Sequence, residues 1–257
     1  MMTKRTTGTP AVPKKTPADL PTPAAAKKRK ADAPRRDPAR TRASILRAAV
    51  AEFSAKGYSG ARTEEIARRA KSNIRMLYHY FGGKDELYVH VLEEVLGRLR
   101  MHELQLDFSD ADPLDGLLQM FDFIDAHFSA HPELRNLLAF ENLNRATHLK
   151  RSKRIPEISS PVLRLIGGLL QRGEAKDMFR PGIDPLHLYV AMVSLAYYAR
   201  SHAHTLSRIF QQDMLAPDWQ QAHNVQTRQM LVAFLARPSS AAASSSSPST
   251  SSRKKTP

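Results

Sequence analysis

The feature that most constrains the fold is the ten-residue stretch at positions 72 to 81. Its sequence is Ser-Asn-Ile-Arg-Met-Leu-Tyr-His-Tyr-Phe, and two glycines and Lys84 follow it. A short helix with Arg, His and Tyr on one side can enter the major groove of DNA, whose floor presents hydrogen-bond acceptors and whose walls are phosphates. The stretch therefore predicts the recognition helix of a helix-turn-helix.

The residues before this stretch predict a first helix. Asp37 and Pro38 are typical of a helix start, because an Asp side chain can accept a bond at the N-cap and Pro suits the first helical position. We expect this helix to run to about Lys56 and to end at Gly57. Apolar residues recur four positions apart along one of its faces, at Ile45, Ala49 and Phe53.

A second helix is expected over residues 63 to 70, with Ile66 and Ala70 buried. Residues 71 to 73 then form a short turn, in which the Asn73 side chain can cap the third helix. Two short helices joined by a turn of three or four residues form the helix-turn-helix arrangement.

The rest of the chain also has a helical pattern. From Lys84 onward the apolar residues recur with a helical period, and no stretch predicts a convincing strand. Further helices are indicated over residues 87–99, 114–124, 134–146, 162–170, 186–199 and 218–236. The sequence therefore predicts an all-α protein, with an N-terminal three-helix domain in residues 37–83 and a larger helical domain in residues 84–237.

Positive charge concentrates at the N-terminal end of the chain, whose formal net charge is +14. Residues 1–37 contain ten Lys and Arg against three Asp and Glu, and residues 38–90 contain ten against five. Residues 91–237, in contrast, contain sixteen against seventeen. We therefore expect a polyanion such as DNA to meet the N-terminal end.

Both ends of the chain have compositions typical of disorder. Residues 1–36 are rich in Pro, Ala, Thr and Lys, and residues 238–257 contain a serine run. We expect the first to be a disordered basic arm and the second a disordered tail. The basic run at residues 27–30 fits either a nuclear-import signal or an arm that grips phosphate non-specifically, and we favour the arm.

Composition also narrows the class of protein. The chain has no cysteine, so it has no disulfide, no thiolate metal site and no cysteine nucleophile, which fits a reducing compartment. Its longest apolar run, near residues 186–199, is shorter than the roughly 20 residues that span a bilayer, and the N-terminus lacks an apolar signal core. We expect a cytoplasmic protein with no membrane partner and no cofactor.

A helical wheel divides the third helix into two faces. The face expected to pack against the first helix contains Ile74, Leu77, Tyr78 and Phe81. The face expected to meet DNA contains Arg75, Met76, His79 and Tyr80.

The chemistry of three of these side chains, and of Lys84 beyond the helix, suggests the part of DNA that each could contact. Arg75 can donate two bonds to a guanine edge, His79 can reach a base or a phosphate, and Met76 can meet a thymine methyl. Lys84 can bind phosphate by its charge and beside free backbone N–H groups. The alternative is an ordinary solvated helix, since Arg and His are common on exposed faces.

Taken together, residues 40–88 resemble the DNA-binding domain of the TetR family of repressors. The matching residues are Phe53-Ser-Ala-Lys-Gly-Tyr58, Glu65-Ile-Ala67, Ala70, Leu77-Tyr-His-Tyr-Phe81 and Lys84-Asp-Glu-Leu87. The resemblance implies that residues 73–80 enter the major groove and that Lys84 and Arg42 contact phosphate. It also implies that Tyr78 contacts DNA, contrary to the wheel, and it leaves Ile74 open.

Two positions depart from the family pattern. Lys71 stands where the family usually has Gly, so a left-handed backbone there would cost on the order of 1 kcal/mol. Arg62 stands where the family usually has a Thr or Ser that caps the second helix. Arg62 could instead bind phosphate directly, and Thr63 could cap one residue later.

The resemblance also has implications for the larger domain. Family members dimerise through their last two helices and hold a small inducer inside, so residues 186–199 and 218–236 are expected to form a four-helix homodimer interface. The apolar character of residues 186–199 nearly all round their helix agrees, since such a helix must be covered on more than one side. A ligand that moves the fourth helix would then release the operator.

Glu141, Asn142, Arg145 and His148 form a motif on which Glu141, Arg145 and His148 would share one helical face. The motif resembles the TetR members that regulate nicotinate degradation and pyrimidine utilisation. It implies a small carboxylated or heteroaromatic effector, with Arg145 as its anion partner and His148 as a donor. Asn142 belongs to the same motif, and Phe179 is a further candidate, although phenylalanines line a core as well as a ligand cavity. The alternative is that Glu141 and Arg145 form a surface pair worth a few tenths of a kcal/mol.

Other classes of site and function are less well supported. His127 and His131 are four residues apart and could bind a metal with Asp122 or Glu133, but such pairs are usually only exposed helix positions, so we expect no metal. An enzyme is disfavoured because the chain has no phosphate-binding glycine loop and no nucleophile or zinc-protease motif.

The sequence favours a ligand-responsive transcriptional regulator, more a repressor than an activator. The alternative is a non-specific DNA-packaging protein.

Overall fold

The computed structural model describes residues 37–237, which are all-α apart from one isolated bridge between Phe179 and Ala236. The expected basic arm with its run at residues 27–30, and the expected tail at residues 238–257, lie outside the described residues. The helices are α1 (Pro38–Gly60), α2 (Thr63–Arg69), α3 (Ile74–Phe81), α4 (Lys84–Leu104), α5 (Pro113–Ala130), α6 (Pro132–Leu143), α7 (Arg154–Ala175), α8 (Pro185–Ser201), α9 (Ala203–Phe210) and α10 (Pro217–Leu235), and a 3-10 helix spans Leu149–Arg151.

Helix α1 begins as the sequence predicts. The Asp37 carboxylate accepts a bond from the Ala39 N–H at 2.9 Å, and Pro38 occupies the first turn. Gly57, with a φ of +67°, ends the regular helical geometry where the sequence predicts, and a further short helical stretch then runs to Gly60. A Cβ built on Gly57 would lie 3.0 Å from the ring of Phe140, so glycine also permits the close approach of α6.

One continuous core joins the helix-turn-helix to the larger helical part. Ile45, Phe53 and Leu77 are fully buried in it, and so are Tyr88 of α4 and Phe128 of α5. Helix α1 packs against α4 and α6, while α5 packs against α7 and α8. Helix α4 therefore connects the two parts, because its first turn follows α3 and its other turns pack in the larger part.

The predicted helices of the larger part are confirmed, with two differences. Helix α6 ends at Leu143 rather than Ala146, because Arg145 and Ala146 both have a φ of +55°. Helix α9 has no counterpart among the predicted helices. Within residues 37–237 no helix is both long and apolar enough to cross a bilayer.

Candidate nucleic-acid interface

The turn between α2 and α3 has the left-handed residue that the sequence comparison anticipated. Lys71 has a φ of +51°, although it carries a Cβ. The turn is fixed by the Ser72 N–H, which donates to the Ala67 carbonyl at 3.0 Å. The Ser44 hydroxyl of α1 donates to the Ala70 carbonyl at 3.2 Å, so α1 also holds the turn. These bonds offset the cost of a non-glycine residue in this conformation.

Of the caps predicted for α2 and α3, the cap of α3 is confirmed and that of α2 is not. The Asn73 side chain accepts a bond from the Met76 N–H at 2.8 Å, which confirms it as the cap of α3. At α2 the N-cap is Arg62, which makes no side-chain cap bond, and Thr63 is buried inside the first turn. The expectation that Thr63 caps α2 is therefore wrong. Its hydroxyl lies 3.4 Å from that of Tyr78 and connects the start of α2 to α3.

Helix α3 presents a different face from the one that the wheel predicts. Leu77 and Phe81 are buried as expected, but Tyr78 is 45% exposed, so its assignment to the inner face is wrong. Arg75 and His79 are exposed, as the wheel predicts. The remaining residues of the helix, Ile74, Met76 and Tyr80, are partly buried and pack against the core.

Four acidic side chains around this helix are occupied by neighbouring cations. Glu52 pairs with Lys56 at 2.6 Å and with Arg69 at 3.4 Å. Glu65 binds Arg68 and Arg69, whose bonds lower its pKa to about 2. The other two, Asp85 and Glu86, both form ion pairs with Arg151, which lies in the larger part of the protein.

The cations of the candidate interface remain available to phosphate. In residues 37–237, Arg42, Arg62, Arg75 and Lys84 have no carboxylate within ion-pair distance. Arg42 lies over the Phe81 ring at 4.9 Å, and the Lys84 ammonium lies 4.8 Å from the centre of the Tyr58 ring. The arrangement leaves an exposed face of α3 flanked by unpaired positive charge, as a DNA surface requires.

The start of α4 is linked to the 3-10 helix that follows α6. The Tyr58 hydroxyl of α1 donates to Asp85, and this bond and burial raise the pKa of Tyr58 to about 12. Arg151 binds Asp85 at 2.7 Å and Glu86 at 2.9 Å. The rings of Tyr58 and His148 lie 4.2 Å apart.

The four residues expected to bind an effector do not come together. Asn142 and Arg145 are exposed, whereas His148 and Phe179 are buried, Phe179 beside Gly173 of α7. The expectation that Glu141, Arg145 and His148 share a helical face is wrong, because α6 ends before Arg145. For the same reason the alternative surface pair between Glu141 and Arg145 is not formed.

The Glu141 side chain instead forms hydrogen bonds to residues that follow α6. Its buried carboxylate accepts bonds from the backbone N–H groups of His148 at 3.2 Å and Leu149 at 3.0 Å. Its other oxygen lies 3.0 Å from Nδ1 of His148. Glu141 and His148 thus shape the connection after α6.

A buried polar group in the larger part was not predicted from the sequence. The Glu103 side chain of α4 is fully buried, pairs with Arg100 and accepts a bond from the Tyr189 hydroxyl of α8 at 3.2 Å. Burial raises the pKa of Glu103. The Arg100 guanidinium lies over the Tyr189 ring at 4.9 Å, and its Nε is buried without a hydrogen-bond partner. The available signal was a Glu on the same face of α4 as Leu96 and Leu99.

Arg100 also lines a cavity of about 290 Å³ between α4 and α7. Most of its lining is apolar, and Arg154 and Glu157 provide charged groups besides Arg100. The remaining lining residues are Gly97, Met101, Leu104, Ile158 and Pro161.

His127 and His131, which the sequence offered as possible metal ligands, contact each other through their rings, and His131 also contacts Glu133. The rings of His127 and His131 lie 4.2 Å apart, and His131 contacts Glu133 at 3.0 Å. Burial, with the neighbouring His131 and His102, lowers the pKa of His127 to about 4. No group of three His, Cys, Asp or Glu within the described part of the chain is placed to hold a metal ion. Asp122 is engaged by Arg228 instead.

Two helices at the C-terminal end expose large apolar side chains. On α8 these are Leu186, Val190 and Tyr198, and on α10 they are Val225, Met230, Val232 and Phe234. Exposed apolar residues on neighbouring helices are typical of a surface that another protein covers.

Two family models match the chain. The model described as "Bacterial regulatory proteins, tetR family" matches residues 45–91. The model described as "Tetracyclin repressor-like, C-terminal domain" matches residues 113–231. The first match contains α2 and α3, and the second runs from α5 into α10.

Individual proteins are also similar to the chain. The HTH-type transcriptional repressor NicS of Pseudomonas putida is 38% identical over 175 residues, which are 68% of this chain and 82% of NicS. The HTH-type transcriptional repressor SCO4008 of Streptomyces coelicolor is 36% identical over 163 residues, 63% of this chain and 80% of that protein. The structure of the fatty acid degradation regulator FadR from Bacillus halodurans matches with a TM-score of 0.55 at 20% identity, over 75% of this chain and 94% of that one. The last match concerns the fold alone.

Proposed function

This chain belongs to the TetR family of bacterial transcriptional regulators, and from that premise we propose that it is a homodimeric repressor released from its operator by a small molecule. It is a DNA-binding regulator by family and fold, and the relatives named as repressors, NicS and SCO4008, support repression. The observation that carries the proposal is the exposed face of α3, where Arg75, Tyr78 and His79 stand among cations without carboxylate partners. We assign residues 37–83 to DNA binding, residues 84–237 to regulation, and the protein to the cytoplasm, where a bacterial operator lies.

The residues divide into those that read bases and those that position the helix. Arg75 donates two bonds to a guanine, and Tyr78 and His79 contact bases or phosphates beside it. Met76 and Tyr80 offer the edges of partly buried side chains to thymine methyls and sugars. Phosphates are bound by Arg42, Arg62 and Lys84, and the caps and contacts of Asn73 and Thr63 hold α3 in register.

A footprinting experiment tests this assignment. The protein is incubated with a pool of random duplexes, bound sequences are recovered, and the consensus is footprinted at physiological salt. A single protected, partly palindromic site supports the proposal. Protection spread evenly over any duplex would instead identify a DNA-packaging protein, because non-specific binding lacks base readout.

We propose that the dimer forms through α8 and α10. Their exposed apolar side chains are continuous with a helical core, and an isologous contact of two such pairs makes a four-helix bundle. A two-fold dimer presents its recognition helices to two half-sites, which accounts for a palindromic operator. Val225→Glu with Met230→Glu would give a monomer that binds one half-site weakly, whereas the exposed control Met101→Glu on α4 would leave the dimer intact.

We propose that the effector occupies the cavity between α4 and α7. Arg100 is a cation in the lining of this cavity, and its guanidinium has donor capacity that its pairing with Glu103 does not use. A cavity of about 290 Å³ with mostly apolar walls suits a single-ring compound, and Arg suits a carboxylate on it. Because Arg100 sits on α4, the helix whose first residue is Lys84, an effector there can move the DNA-binding helices.

The effector site is tested with matched probes. Nicotinate and benzoate are compared with nicotinamide and benzamide, which have the same rings without the charge. Displacement of operator DNA by either carboxylate at millimolar concentration, and not by its amide, supports the site. Arg100→Met combined with Glu103→Gln, which avoids leaving a buried carboxylate without its cation, would abolish this response and leave operator affinity unchanged. Equal effects of acids and amides, or a response that survives this double variant, would contradict the site.

A further inference from the structure

A basic segment follows α6, and only its last residue, Arg154, belongs to a site proposed above. Residues 144–154, which we call the basic segment, contain five Lys and Arg and no Asp or Glu. All five side chains are exposed, and they are Arg145, Lys150, Arg151, Lys153 and Arg154. In the rest of residues 91–237 acids outnumber bases, so this concentration of charge is local.

The segment has a fixed and partly strained shape. Arg145 and Ala146 both have a φ of +55°, a backbone conformation that residues with a Cβ rarely adopt. Three bonds to the buried Glu141 carboxylate, together with a 2.7 Å bond from the Ala146 N–H to the Glu141 carbonyl, hold this path. Such strain persists only where the surroundings determine it, and it often marks a functional surface.

The segment lies beside the proposed phosphate contact of α4. Arg151 binds Asp85 and Glu86, the two residues that follow Lys84. On the other side, the centres of the His148 and Tyr58 rings lie 4.2 Å apart, and the Lys84 ammonium lies over the Tyr58 ring at 4.8 Å. A phosphate at Lys84 would therefore lie next to the basic segment.

The remaining cations of the segment are available for another partner. In residues 37–237, no carboxylate lies within ion-pair distance of four of these cations, Arg145, Lys150, Lys153 and Arg154. The fifth, Arg151, forms ion pairs with Asp85 and Glu86 of α4. Exposed, unpaired and adjacent cations repel one another, so an anionic partner is favoured.

We propose that the basic segment is a second DNA-binding surface, with which the regulatory domain binds phosphates outside the bases that α3 reads. Duplex DNA has one negative charge for about every 1.7 Å of its length, so a phosphate bound at Lys84 has further phosphates close by, and the segment adjoins that residue. These contacts add affinity without sequence information. The inference rests on the proposed operator binding, because it takes α3 and Lys84 to lie on the duplex.

The experiment compares two triple variants of the full chain. The test variant carries Arg145→Gln, Lys150→Gln and Lys153→Gln. The control carries Arg164→Gln, Lys176→Gln and Arg208→Gln, which removes the same charge from exposed positions on α7, after it and on α9. Each is titrated against salt on the operator in two lengths, one that ends at the outermost base read and one with ten further base pairs or so on each side.

On the long duplex we expect the slope of log affinity against log salt to become shallower by about 5 for the dimer, since each of the two protomers loses three phosphate contacts and each contact contributes about 0.9. On the short duplex the test variant should match the wild type, and the control should match it on both. Base preference should not change. An unchanged slope on the long duplex would overturn the proposal and leave an acidic protein as the partner that such a surface fits.

Two further outcomes count against the proposal. An equal loss of slope in the control variant would mean that only net charge matters, and an equal loss on the short duplex would mean that the segment does not reach flanking DNA. Failure of the proposed function is distinguishable, because the wild type would then give no specific footprint at all. Circular dichroism of both variants checks that they fold, and Lys150→Arg with Lys153→Arg should restore the slope in proportion.

Discussion

Replacing Glu141 tests whether one buried carboxylate organises the connection between α6 and α7. In Glu141→Ala the N–H groups of His148 and Leu149 and the His148 ring nitrogen lose their partner. A buried polar group left unsatisfied costs about 1 to 3 kcal/mol. Leu149 is only partly buried, so water can reach its N–H, and we place the total loss of unfolding free energy at about 3 to 5 kcal/mol.

The matched variant Glu141→Gln separates hydrogen bonding from packing. The Gln amide has the same shape, its oxygen can accept the two backbone N–H bonds, and its NH₂ can donate to the other tautomer of His148. We expect it to cost about 1 kcal/mol or less. Urea unfolding of both variants, followed by circular dichroism at constant m-value, measures the difference.

The result that would refute this reasoning is a small loss in Glu141→Ala. If alanine costs less than about 1 kcal/mol, or no more than glutamine, the three bonds do not hold the connection together. The basic segment would then need another explanation for its fixed shape.

The remaining predictions concern DNA binding, capping and pH. Arg75→Ala should weaken operator binding by about 1 to 3 kcal/mol and relax one base position, and an unchanged consensus from the random pool would contradict its contact with a base. Asn73→Ala should lower the unfolding free energy by about 0.5 to 2 kcal/mol through loss of the α3 cap, whereas Asn73→Asp should keep most of it, as chemical denaturation would reveal. The pKa of His127 is lowered to about 4 by burial and by the nearby His131 and His102, so its neutral form stabilises the fold fully above about pH 6.5. Stability should then fall as the pH drops from 6.5 towards 4, by at most about 1.4 kcal/mol per unit, and His127→Gln but not the exposed control His204→Gln should flatten that dependence.

The fold could be predicted from sequence where a local rule decides the structure. The Asp37 and Asn73 caps were predicted because an N-cap depends only on a side chain and the N–H groups one turn ahead. The family pattern left either a left-handed residue at position 71 or a different turn, and Lys71 adopts the left-handed conformation. Family membership followed from residues that are close together in the sequence.

Predictions failed where tertiary contacts decide the structure. The wheel placed Tyr78 inside because it shares a face with Leu77 and Phe81, but Tyr78 is 45% exposed and its hydroxyl lies 3.4 Å from that of Thr63 at the start of α2. The motif from Glu141 to His148 was expected to be one helical face, and its carboxylate instead bonds to the backbone after the helix has ended. The buried pair of Arg100 and Glu103 depends on Tyr189, which is far away in the sequence.

The assignment of DNA-binding residues stays a prediction. The exposure of Arg75 and His79 is compatible with it, but exposure alone is shared by any solvated helix. The random-pool experiment with the Arg75 variant decides between the two.

The left-handed Gly57 has a consequence for engineering. A Cβ on Gly57 would lie only 3.0 Å from the Phe140 ring, so the contact between α1 and α6 has no space for a side chain at this position. A chimera that joins the first half of this regulator to the sensor of another would have to import an aromatic partner for that glycine along with it. Chimeras that take positions 57 and 140 from the same parent should therefore keep their response to effector. Chimeras that take them from different parents should lose it, because α1 and α6 would no longer pack correctly.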